Sequence, residues 1–156
     1  MPLTLSRPLL IYWTLSNAEA YICRSPNIDP VHFWLGALKF VDDKILNVFL
    51  DKKMPEENWK EIASESNRLL AYLEKTREEA ETLRRTLRRS LLGDDTPAPI
   101  PDDGAPYLHR SPASRRLFQN ATELAGSRSC KALFPIHVVE TLFDMKLVDM
   151  SDLKVS

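Results

Sequence analysis

The sequence predicts an all-α fold, built as a pseudo-twofold pair of related helical repeats in one compact domain, and three observations predict it. Apolar residues recur three and four apart along most of the chain. Glycine is sparse, at 4 of 156 residues, which disfavours a turn-rich β architecture. An offset of 105 residues superposes the two ends of the chain on one another, the signature of a duplicated supersecondary unit. The reading divides the chain into a first repeat at 1–92, a linker at 93–110 and a shortened second repeat at 111–156.

The first helix is expected from about Ser6 to Arg24, with Leu9, Tyr12, Trp13, Ser16, Ala20 and Cys23 on one face. Arg7, the apolar run from Pro8 to Leu15 and Ala18-Glu19-Ala20 imitate a short signal peptide. The recurrence of the same pattern late in the chain favours a structural helix instead. Asp29-Pro30 reads as an N-cap with proline at the first helical position, opening an apolar helix from Val31 to about Phe40. A third, short helix is expected from Asp42 or Asp43 to Lys52, with Ile45, Val48 and Phe49 inward.

No Pro or Gly interrupts the segment after Pro55, so one extended fourth helix is expected as far as Leu92, about 55 Å long at 1.5 Å per residue. Glu56, Glu57, Glu61 and Glu65 crowd its start and Arg84, Arg85, Arg88 and Arg89 its end, matching the helix dipole. Ile62, Ser66, Leu69, Leu73, Thr76, Ala80, Leu83 and Leu87 form a weak heptad seam. That seam serves either as the face packed on its own domain or as a homodimerisation surface. Gly93 to Arg110 holds four prolines and four aspartates, a composition that favours extended, poorly ordered backbone. Ser111-Pro112 then opens a helix to about Ala125, Phe134-Pro135 another to about Met145, and the tail from Leu147 reads as a short helical turn or an end.

At the offset of 105, Ser6 falls on Ser111, Tyr12 on Leu117, Ser16 on Ala121, Ala20 on Ala125, Pro30 on Pro135, His32 on His137, Phe33 on Val138 and Trp34 on Val139. Small residues four apart let a second helix approach closely, and Pro-x-His begins the second helix of each unit. The pattern resembles the double Clp repeat found in the N-terminal domains of Clp-family AAA+ unfoldases. Leu117-Ala121-Ala125 with His137-Val138-Val139, and Tyr12-Ser16-Ala20 with His32-Phe33-Trp34-Leu35, carry the resemblance.

The resemblance implies an eight-helix domain that binds an adaptor protein or unfolded substrate peptide and works with a Clp-type ATPase ring, in cis or in trans. Members that recognise phosphoarginine carry a Glu immediately before each repeat histidine. Val31 and Ile136 stand there in this chain and cannot ion-pair a guanidinium, so that activity is not expected. The fourth helix is longer than the family's, and the second repeat leaves little room for its last two helices.

With 21 basic and 22 acidic residues, no overall field draws the chain to nucleic acid or an anionic membrane. No stretch approaches the roughly 20 apolar residues of a membrane span. Two cysteines, Cys23 and Cys130, with no CxxC pair, point to a reduced cytoplasmic setting and inert thiols. No phosphate-cradling G-x-x-x-x-G-K-[ST] occurs, so the chain is not itself expected to be an ATPase or any other enzyme.

His32, His109 and His137 lack carboxylates or thiolates at ligand spacing, so no catalytic residue, metal or cofactor is expected, and His32 and His137 are read as satisfying backbone near helix starts. The peptide groove is expected where the repeats meet, at the starts of the second helices. Its candidate residues are Ile28, Val31, His32, Leu133, Phe134, Ile136 and His137, with the helix N-termini favouring an acidic group on the ligand.

Overall fold

Helix starts carry the strongest local instructions in this chain, because the first backbone N–H groups of a helix must find acceptors outside it. The computed structural model describes residues 3–42, 44, 47 and 55–148. Helix α1 (Arg7–Ile22) opens on Ser6, whose hydroxyl accepts from the Leu9 amide at 3.2 Å. Next come α2 (Pro30–Phe40) after Asp29, α3 (Glu56–Leu73) after Pro55 and α4 (Arg77–Leu92) on Thr76. Ser111 caps α5 (Pro112–Ser127), accepting from the Ser114 amide at 3.2 Å, and α6 (Pro135–Asp144) follows Phe134. Proline stands in the first two positions of α1, α2, α5 and α6, where a missing N–H leaves nothing unpaired. The protein is predominantly helical.

Two very short strands, absent from the sequence reading, tie the two ends of the chain together. β1 (Thr4–Leu5) pairs in parallel with β2 (Ala132–Leu133), Leu5 opposite Leu133, and an isolated bridge joins Ile28 to Arg110. The amide of Ser6 donates to the Leu133 carbonyl at 3.1 Å, and the amide of Ser111 to the Ile28 carbonyl at 3.0 Å. The caps of α1 and α5 are thus held by the residues that precede the N-caps of α6 and α2.

Helix α2 is largely apolar and mostly buried. His32, Phe33, Trp34, Leu35, Gly36, Ala37, Leu38 and Phe40 are all buried, which a helix achieves only when neighbours cover every face. It packs most extensively on α1, then on α4 and α6. Leu9, Tyr12, Phe33, Trp34, Leu69, Leu83, Leu117, Val139 and Leu142 share one hydrophobic core, so both ends of the chain contribute to it.

The extended fourth helix is a correction. The segment is two helices, broken where Glu74 takes a left-handed conformation at φ 55°. Thr76-x-x-Glu79 starts α4 as a capping box: the Thr76 hydroxyl accepts from the Glu79 amide at 3.1 Å, and the Glu79 carboxylate accepts from the Thr76 amide at 3.1 Å. Arg77 braces the corner, donating to the Val41 carbonyl at 2.9 Å, Ser66 Oγ at 3.0 Å and Asn67 Oδ1 at 2.7 Å. Thr76→Ala is expected to lower stability by about 1 kcal/mol in urea unfolding, as loss of a cap of this kind does.

The break lets α3 lie against α1 and α6 while α4 returns to α2. Ile62, Ser66, Leu69, Leu73, Ala80 and Leu83 of the supposed seam are accordingly buried inside this domain. Six of the eight seam residues are thus a core face, with Thr76 exposed and Leu87 half-buried.

The Pro- and Asp-rich linker is also more fixed than its composition suggests. Asn17 holds it from both sides, donating from Nδ2 to the Pro106 carbonyl at 2.9 Å and accepting the Leu108 amide on Oδ1 at 2.8 Å. Arg24 Nε donates to the Thr96 carbonyl at 2.8 Å, and the Ala98 amide to the Ile22 carbonyl at 3.0 Å. The helix expected between Asp42 or Asp43 and Lys52, with Ile45, Val48 and Phe49, lies largely outside the described residues, as does the tail beyond Val148.

Candidate functional site

The residues expected to line the groove are mostly core. Ile28, His32, Leu133, Ile136 and His137 are buried, and only Val31 and Phe134 are partly exposed. The reason is the end-to-end strand pairing: Ile28 and Leu133 are themselves the bridging residues, so their side chains face inward. Five of the seven cannot offer affinity to a partner without opening the core.

Both histidines are bound to backbone. His32 Nδ1 accepts the Asp29 amide at 2.9 Å, and His137 Nδ1 accepts the Phe134 amide at 3.0 Å. The imidazole takes the part played by Glu or Gln at the third position of a capping box, closing the helix start from inside. A carboxylate from elsewhere completes α6: Glu65, itself buried, accepts the Ile136 amide at 2.9 Å. The helix N-terminus expected to attract an acidic ligand is therefore already occupied by an acid of this chain.

Cys130 Sγ lies 3.6 Å from His137 Nε2, a pairing that invites a nucleophile-and-base reading. With Nδ1 accepting a backbone N–H, the neutral ring carries its proton on Nε2 and can only donate to sulfur. His137 in that state cannot take a thiol proton, so the pair lacks a general base. Cys23, beside Glu19, is pushed up to about 11 by burial and by that carboxylate. Among the described residues, no group of three His, Cys, Asp or Glu could hold a metal ion.

The capping role sets a pH dependence. Burial holds both His32 and His137 below their ordinary 6.5, and Arg68 and Arg128 add to the effect at His137. Between 6.5 and the lower folded values the unfolded chain binds more protons, so this stability is complete above 6.5 and lost as pH falls. Glu65 acts in the opposite sense. Burial raises it above 4.5, against the pull of Ile136 and Arg68, so its contribution is full below 4.5 and lost as pH rises through the folded value. Urea unfolding of Glu65→Gln at about pH 8 and about pH 5 isolates the histidines, and a lower midpoint in acid is expected. An unchanged midpoint would show that the rings need not be neutral.

The concave, apolar surface lies instead between the two first helices. Trp13 of α1 and Phe118 of α5 meet there with ring centroids 4.9 Å apart, and Phe33 stands 4.8 Å from Phe118 beneath them. Two adjoining hollows share Trp13 and Leu5 as lining. One, of about 420 Å³, runs along Leu10, Thr14 and Asn17 to Tyr107. The other, of about 520 Å³, runs between Arg110, Arg115, Phe118 and Leu133. Leu5, Leu10 and Tyr107 are 44%, 50% and 70% exposed, an apolar cluster that water contacts directly. The Asn17 clamp on residues 106 and 108 holds Tyr107 at the edge.

Strand geometry adds a polar edge. In the β1–β2 pair the Thr4 and Ser6 amides reach Lys131 and Leu133, and the alternation of a strand turns the N–H and C=O of Leu5 the other way. Leu5 thus lines both hollows with an apolar side chain and turns its backbone N–H and C=O away from β2.

Sequence reasoning assigned Trp13 to the core and passed over Leu5, Leu10, Tyr107, Arg110, Arg115 and Phe118. Two signals pointed to them: Trp13 and Phe118 coincide at the offset of 105, and Leu10, Ile11 and Trp13 extend the apolar surface of α1 beyond one stripe. No helix among the described residues is long and apolar enough to cross a membrane. Compared with protein families, with curated proteins and with solved structures, the chain matches none.

Proposed function

We propose that this protein is a docking module similar to the double Clp repeat, and that it holds an adaptor or an unfolded segment of a client in the groove floored by Trp13 and Phe118. It would deliver that partner to a Clp-type ATPase ring in cis or in trans. The observation that carries the repeat is the matched pair of hydrogen bonds from Ser6 to Leu133 and from Ser111 to Ile28. Donors and acceptors both differ by 105 residues, as a half-turn relating two copies requires. The matching His32 and His137 caps and the equal spans of α1 and α5 support the same relation.

On this reading the groove is on the first helices, α1 and α5, rather than at the starts of the second as the sequence reading has it. Exposed Leu5, Leu10 and Tyr107 supply apolar area, and the backbone edge that Leu5 turns away from β2 suits an extended chain, which pairs its backbone while its side chains enter pockets. Such recognition is sequence-tolerant, a property a docking module needs.

The test uses a permanently unfolded client, reduced and carboxymethylated lactalbumin, titrated calorimetrically. Leu5→Asp together with Tyr107→Ala is expected to weaken binding at least about tenfold, a change of about 1.4 kcal/mol. Val31→Asp is expected to leave it unchanged. Equal affinity of all three proteins removes the groove, and loss in Val31→Asp alone returns the site to the second helices.

A further inference from the structure

The groove carries two arginines and one acid. Arg110 lies across its floor, the guanidinium carbon 4.6 Å from the Trp13 ring centre and 5.0 Å from that of Phe118. Among the described residues, neither Arg110 nor Arg115 forms an ion pair, whereas Arg68, Arg84, Arg85, Arg88 and Arg128 all do. A guanidinium stacked on rings keeps its N–H donors in its own plane, directed outward from the stack. That plane matches a carboxylate, which it can grip with two parallel hydrogen bonds.

Glu123 is the one acid lining this hollow, against two arginines, so the lining has a single positive charge in excess. The adjoining hollow along Leu10 and Tyr107 has no charged lining residue. The groove is therefore apolar along one arm and cationic along the other.

We propose that this groove selects acidic peptides: an aliphatic or aromatic side chain rests on the Leu5, Leu10 and Tyr107 arm while Asp or Glu carboxylates meet Arg110 and Arg115. The inference rests on the docking reading and adds the charge of the client. Glu123 in the lining and a net charge of -1 favour an acidic peptide over a polyanion such as nucleic acid, whose successive phosphates would meet that carboxylate.

The test uses two synthetic peptides with the same Leu-Phe centre, one flanked by glutamates and one by lysines. Binding is followed by the Trp13 indole NMR signal, assigned with Trp13→Phe, and by anisotropy. The Glu peptide is expected to bind at least about tenfold tighter than the Lys peptide at low salt, with the gap narrowing as salt is added. Arg110→Glu with Arg115→Glu is expected to invert that preference. Because Arg110 stacks on the core rings, Arg115→Glu alone, on an exposed residue, serves as the milder variant and is expected to narrow the gap.

Equal affinity of the two peptides, with the Trp13 signal shifting for both, overturns the acidic preference and leaves the docking reading intact. No shift for either overturns both. Displacement of the Glu peptide by a shorter oligodeoxythymidylate at lower concentration assigns the groove to nucleic acid and overturns the proposal.

Discussion

Glu19→Gln is expected to lower the unfolding free energy by roughly 3–5 kcal/mol, the usual consequence of removing one partner from a buried ion pair. The Glu19 side chain is fully buried and faces three cations from two other helices. Its carboxylate accepts from Arg88 Nε at 3.0 Å and from Arg88 Nη2, and lies 3.5 Å from Lys39 Nζ and 3.7 Å from Arg84 Nη1. Arg84 is also 3.5 Å from Asp42, and its Nε has no hydrogen-bond partner among the described residues.

The neutral amide fills the same volume but leaves Lys39, Arg84 and Arg88 crowded in a low dielectric with Asp42 alone, among the described residues, to offset them. Urea unfolding with an unchanged slope checks the magnitude. Adding Arg88→Gln to Glu19→Gln is expected to recover part of the loss, because one fewer cation is then left without its acid. If Glu19→Gln unfolds at the wild-type midpoint, the cluster is hydrated in solution and contributes little.

Gly36→Ala is expected to destabilise by about 3 kcal/mol, the upper end of what an added methyl does in a tight core. A Cβ at Gly36 would lie 1.9 Å from Ser16 Oγ, 2.8 Å from its Cβ and 2.9 Å from its Cα. The hydroxyl can rotate away from the first contact, but the other two involve atoms fixed to the α1 backbone. Helices α1 and α2 must therefore separate, disturbing the most extensive contact in the fold. The intrinsic helix preference of alanine over glycine, about 1 kcal/mol, opposes the loss without cancelling it.

Ser16→Gly in the same protein removes two of the three contacts and is expected to restore part of the stability. Additive single effects would instead show that the two helices do not meet at this point.

Local and periodic features were legible in the residues. The caps at Ser6, Asp29 and Ser111, the adjacent prolines and the three-and-four spacing placed four helices within two residues of their ends, because each signal acts within one turn. The break at Glu74 was equally local, in the Thr76-x-x-Glu79 capping box, but was missed because no Pro or Gly marked it. The two short strands had no signal at all: pairs such as Thr4 with Ala132 gain their hydrogen bonds only after the ends of the chain meet.

By itself, then, the sequence determined the helical class and the starts of α1, α2, α5 and α6, since a helix forms and ends through neighbours in the chain. Only the tertiary structure decided which apolar residues are covered. Ile28 and Leu133 became core because partners more than 80 residues away pair with them, whereas Leu5, Leu10 and Tyr107 stay exposed to water. The same holds for charge: Glu19 looked like part of a leader-like run until α4 laid Arg84 and Arg88 against it. Burial and pairing depend on distance in space, which a spacing in sequence constrains only within a single element.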